Sequence, residues 1–152
     1  MLIRIRDKLS EIVTGVNTIR SLKRQVGEWT ERLADHTAAA DVVSAACALT
    51  VELTAIEEQL VQVEFTADGD TLNYREQLFE KLSSLPAVVA SADARPTTQS
   101  YAVYEKLAGQ ADTQLGALAS LVDGDLAQLN RQLADLGVAF IGAPTDVSGP
   151  LQ

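Results

Sequence analysis

Apolar residues recur alternately three and four positions apart in four stretches of this chain, which together span most of its 152 residues. The cleanest run is Ala39, Val42, Ala46, Leu49, Leu53, Ile56, Leu60 and Val63, which keeps the rhythm without a slip. Such spacing lays one apolar stripe along one side of an α-helix. A helix of this kind is marginal alone and must press its stripe against other helices. The expected fold class is therefore all-α: an antiparallel four-helix bundle. Its long helices fall at about 2–34, 38–64 and 97–136, and a shorter one at about 73–92.

Landmarks within the stripes refine this reading. In the first helix Leu2, Ile5, Leu9, Ile12, Val16, Ile19, Leu22, Val26, Trp29 and Leu33 form the stripe. Gly15 and Gly27 either weaken that helix or allow a close approach, and one sequence does not separate the two. Thr37 is placed to cap the second helix, and Thr97 or Thr98 the last. Residues 65–71 read as a loop. Pro86 falls inside the third helix, so a kink or a restart is expected there. Around Val122 two four-residue steps meet, a stutter that unwinds a coil locally; the register then resumes, which favours one continuous helix. Gly137 reads as the left-handed stop, with Val138 folding back. Phe140 and Ile141 are expected to tuck against the bundle end, so the bundle domain is 1–141 and a loose tail covers 142–152.

The core residues expected to matter most are Leu9, Ile12, Ile19, Trp29, Leu53, Ile56, Leu60, Leu82, Leu115, Leu129 and Leu133. At the third turn they are Asp93, Pro96 and Thr97, with Tyr101 and Tyr104 expected to hydrogen-bond across that turn. Helices one and four are much longer than helix three. That mismatch leaves a trough to be filled by the 64–72 loop, a bend or another chain, and predicts an apolar docking patch at one end.

Charge excludes some partners. The formal net charge is -9, which opposes nucleic acid. It is uneven: residues 1–35 carry +2 and the remainder -11, so a mildly basic first helix faces acidic neighbours. Arg20, Lys23 and Arg24 share a face of that helix, and Glu28 and Glu31 follow at pairing distance along it. No apolar run is long enough for a transmembrane helix, and the first residues do not read as a signal peptide. The helical pattern starts at Leu2 with no capping residue ahead of it, which points to a piece cut from a longer chain.

Catalytic and metal chemistry finds no foothold. One His and one Cys cannot build the histidine–carboxylate sites of helical bundles, so no metal or cofactor is expected. His36 reads as a turn residue and Cys47, among alanines, as a buried inert thiol. Asp68, Asp70 and Glu76 miss the spacing of a calcium loop. Glu57 and Glu58 are adjacent on a helix and point apart, so they form no acid–base pair.

Several segments bear a likeness to a known family. These are Ile5–Glu11 running on to Ile19–Trp29, Leu53–Gln62, Leu72–Tyr74, and Ser91–Tyr101 with Val103 and Tyr104. In order, over about residues 3–140, they resemble the C-terminal helical region of bacterial sortilin-like BNR-repeat proteins. Those are large chains with a β-propeller part, often labelled glycosyl hydrolases or sialidase-like. No Ser-x-Asp-x-Gly-x-x-Trp segment of the propeller type occurs here, so no catalytic residue carries over. The resemblance implies a non-catalytic docking or assembly domain of a larger exported protein. Its partners would be other domains of the parent or a second copy. The alternative is a free-standing amphipathic helical protein that binds an apolar or lipid surface.

Overall fold

A computed structural model describes residues 1–34, 36, 39–64, 74–90, 95–139, 141 and 142. Thr37, the 65–71 loop, Asp93, Phe140 and the tail from 143 onward lie outside the described residues. The fold is all-α, with four helical rods packed against one another and no strand among the described residues. Helix α1 spans Leu2–Leu33, α2 spans Ala40–Leu60 and α3 spans Leu78–Ala90. The last rod is α4 (Thr98–Leu121), a π-helical turn (Val122–Leu126) and α5 (Ala127–Asp135).

Cross-helix contacts set the directions. Tyr104 and Glu105 meet Arg4, Asp112 meets Lys8, and Leu115 crowds Gly15, so α1 and α4 run the same way. Glu57 meets Arg20 and Lys23, while Val42 and Ala46 sit beside Val26 and Trp29, so α2 runs against α1. Helix α3 leads back to the start of α4 and lies against the first half of α1. Helices α2 and α3 thus follow one another along a single lane, antiparallel to both long rods. At about 1.5 Å per residue they span roughly 30 Å and 20 Å, together close to the roughly 48 Å of α1. The length mismatch resolves in this tandem placement. Among the described residues the cross-section at any level holds three helices: α1, the α4–α5 rod, and either α2 or α3.

The core is the set of facing stripes. Ile5, Ile12, Ile19, Leu22, Leu53, Leu60, Leu82, Leu129, Leu133 and Ile141 are fully buried. Each such side chain contributes about 1.5–3 kcal/mol of burial free energy. Ile56 is buried as well, while Leu9, Trp29 and Leu115 are partly buried at the core's edge. Gly15 explains one close approach: a Cβ there would lie 2.6 Å from Leu115 Cδ2. Gly27 has open space instead.

Helix ends follow local chemistry. Thr97 caps α4 by accepting the Ser100 N–H at 3.2 Å, with half-buried Pro96 just before it. Gly137, at φ 72, closes α5: its N–H donates to Ala134 O and that of Val138 to Leu133 O, both at 2.9 Å. This is the paired bond of a Schellman stop. The π turn coincides with the stutter. Buried positions step from Leu121 to Leu126, five residues, and then resume at Leu129 and Leu133. One extra residue per turn keeps the stripe facing inward across the irregularity.

Two helix boundaries differ most from the periodicity. Helix α2 stops at Leu60 rather than 64, and α3 starts at Leu78 rather than 73. Glu80 accounts for both. Its carboxylate accepts the Gln62 N–H at 3.2 Å and the Gln77 N–H at 3.0 Å. The second bond is the reach-back half of a capping box; the first takes a donor that a longer α2 would need internally. Helix α3 is continuous through Pro86, so no restart occurs there. The expected tail boundary also falls on an ordered contact. Asn130 donates to Ile141 O and accepts its N–H, at 2.7 and 2.8 Å, and Gln25 does the same for Gly142 at 2.9 and 3.2 Å.

Candidate functional site

Among the described residues no helix covers the outer lane between α1 and α3. Along the first half of α1 that lane is an apolar groove of about 690 Å³ between α1 and α3, with no α4 residue in its walls. Its α1 wall carries Leu2, Leu9 and Val13, and its α3 wall carries Phe79 and Pro86. Leu2 and Val13 are 48% and 44% exposed, while Ile5 at the base is fully buried. Leu2 and Leu9 stand seven residues apart, as do Phe79 and Pro86. Heptad spacing on both walls presents holes at the interval of a helix's own knobs. Arg6, Ser10 and Thr14 form a polar border.

The groove exists because α1 keeps its apolar stripe to its first residue while α3 is only 13 residues long. Apolar side chains that α3 does not reach stay wet. Ile3, outside the groove on the same first turn, is 66% exposed.

Charges on α1 pair with acids on α2 and α4, and Arg6 at the groove's border pairs with Asp7. Glu57 is 5% exposed and lies on α2 facing α1. Arg20 Nε approaches it at 2.6 Å and Lys23 Nζ at 3.1 Å. Burial alone would push the Glu57 carboxyl up; the hydrogen bonds and charges of Arg20 and Lys23 outweigh that and hold it below its ordinary value. Sequence spacing assigned this basic face to pairing within α1, and only Arg24–Glu28, at 3.2 Å, follows that rule. At the other end Lys8 bonds Glu11 and reaches Asp112 at 2.6 Å. Burial would lower the Lys8 pKa, yet the two carboxylates raise it. Arg4 covers the Tyr104 ring at 4.7 Å and pairs with Glu105 at 2.8 Å.

Other residues land differently from their sequence reading. Tyr104 is buried and donates to Arg4 O at 3.1 Å, bridging α4 to α1 rather than spanning the third turn. Tyr101 is exposed. Cys47 is exposed, because it sits one position beyond Ala46 on the flank of the α2 stripe. His36 is exposed, with its backbone in the turn between α1 and α2. Among the described residues no three His, Cys, Asp or Glu side chains are grouped to hold a metal ion. Among them, too, no helix is long and apolar enough to cross a membrane. Compared with known proteins, the chain matches no family model, no curated protein and no solved structure at a significant level.

Sequence reasoning did not find Glu57, Glu80, Gln25 or Asn130. Each looks like an ordinary helix-surface polar residue, and only the fold reveals the partner it meets.

Proposed function

We propose that this chain is a non-catalytic helical module that docks a partner helix in the α1–α3 groove. The open lane with heptad-spaced apolar walls carries the reading, since helix-in-groove recognition uses such anchors. The walls from Leu2 to Val13 run roughly 17 Å, enough for about three turns of a bound helix. On the strength of the sequence likeness, the partner helix belongs to another part of a larger exported sortilin-like BNR-repeat protein, and this module is that protein's C-terminal assembly domain.

The test mixes this chain with the separately expressed remainder of its parent and follows binding by calorimetry. Val13→Asp is the diagnostic variant, because an exposed helix position tolerates it within about 0.5 kcal/mol. Saturable binding that Val13→Asp weakens at least tenfold, with an unchanged thermal melt, is the expected result. Binding indifferent to Val13→Asp removes the groove from the account. A genomic frame with no propeller-encoding stretch upstream of Met1 removes the parentage.

A further inference from the structure

A second concave surface has the opposite chemistry. Where α2 ends and α3 begins, both facing α4, lies a cleft of about 320 Å³. Arg75 and Lys81 line one side, and Gln59, Gln110, Thr113 and Gln114 line the rest. Among the described residues no carboxylate lines it, in a chain whose net charge is -9. Among the described residues, no carboxylate lies within ion-pairing distance of Arg75 or Lys81. Among the described residues, Arg75, Lys81, Arg95, Lys106 and Arg131, the cations outside α1, have no acid within pairing distance, and two of these five share this cleft. The nearby Glu80 carboxylate is already engaged by the N–H groups of Gln62 and Gln77.

The neutral groups, exposed or half-buried, offer a second kind of contact. Side-chain amides both donate and accept hydrogen bonds, and the Thr113 hydroxyl, which donates to Gly109 O at 2.9 Å, can accept one. Among the described residues, the side chains of Gln59, Gln110 and Gln114 make no hydrogen bond within the protein. A bare anion would answer the two cations and leave those amides to water. A molecule that joins an anionic group to several hydroxyls answers both. The volume lies at the small end of ligand sites and suits a molecule of monosaccharide size.

We propose that the Arg75–Lys81 cleft binds a small polyhydroxylated anion. Arg75 and Lys81 hold its carboxylate or phosphate, and the amides on α2 and α4 hold its hydroxyls. The site is distinct from the apolar groove and does not depend on what occupies that groove.

The experiment is an NMR titration of the intact chain with gluconate, glucose 6-phosphate and glucose at constant ionic strength. The expected result is saturable movement of the Lys81, Gln110 and Thr113 amide signals with at least one of the two anions, and none with glucose. Response to gluconate alone marks a carboxylate ligand, response to glucose 6-phosphate alone a phosphate ligand, and both support the site. Lys81→Gln should weaken binding by about tenfold or more, the loss of one charge-assisted bond. Gln110→Glu places a negative charge in the cleft at an exposed helix position and should abolish binding while the melt is unchanged. No saturable movement with either anion, equal binding of glucose, or binding that survives Gln110→Glu overturns the proposal.

Discussion

Arg20 of α1 and Glu57 of α2 meet at 2.6 Å, and the carboxylate of that pair is buried while the guanidinium side chain stays largely in water. Lys23 completes the contact from the next turn of α1. The asymmetry decides how the pair responds to change. Removing Glu57 frees two cations that water can solvate; removing the cations strands a buried carboxylate.

Stability should therefore depend on pH through Glu57. Its folded pKa is depressed below the ordinary 4.5, so its contribution is present above that value and fades as pH falls through the folded value. Glu57→Gln should cost about 1–2 kcal/mol at neutral pH and flatten this acid limb. The double variant Arg20→Ala/Lys23→Ala should reverse the sign. Burial then raises the carboxyl's pKa above the ordinary 4.5, and the protein becomes more stable as pH falls through that raised value toward 4.5. Urea melts across pH check both.

The two glycines of α1 should respond differently to growth. Gly27→Ala meets nothing within 4 Å, so helix propensity should stabilise the chain by up to about 1 kcal/mol. Gly15→Ala gains the same propensity but must displace Leu115 Cδ2, 2.6 Å from the new methyl. That displacement costs about 0.5–1.5 kcal/mol, leaving a net effect near zero. Gly15→Leu should destabilise by about 1–3 kcal/mol through overpacking. Thermal melts of the three variants give the order.

The bundle's far end should loosen when its amide clamps are cut. Asn130 and Gln25 each make two bonds to the backbone of Ile141 and Gly142. Asn130→Ala should cost about 1–3 kcal/mol, because Ile141 is fully buried and its N–H loses its partner. Hydrogen exchange at the Ile141 amide should accelerate in that variant and remain slow at Leu53. Unchanged Ile141 protection would show that the clamp is not what holds the segment.

Much of this architecture was legible because periodicity reports which face a helix buries. The stripes, the Thr97 cap, the Gly137 stop and the stutter at Val122 each have a local cause written in neighbouring residues. Lane order does not. A stripe such as Leu9–Ile12–Val16 looks the same to a neighbour running either way, so the tandem of α2 and α3 has no signature in spacing. Glu80 shortens two helices by bonding Gln62, eighteen residues earlier, and no local rule anticipates that partner. Cys47 was misplaced because the alanines around it give little contrast between faces. Unequal helix lengths predict a trough beside the third helix; the tandem fills that trough, and the groove between α1 and α3 follows from the tandem instead. The polar cleft joins residues from three helices and had no sequence signal.

The open lane, and with it the docking surface, exists only if α1 and the α4–α5 rod run in the same direction. Crosslinking with a short bis-maleimide decides this, in a background where exposed Cys47 is replaced by Ser. Cysteines introduced at Lys8 and Asp112, an ion pair at 2.6 Å, should join rapidly within one molecule, and cysteines at Lys8 and Gln132 should not. Efficient joining of the 8–132 pair with none at 8–112 would mean that the rods run oppositely and that the groove described here does not exist.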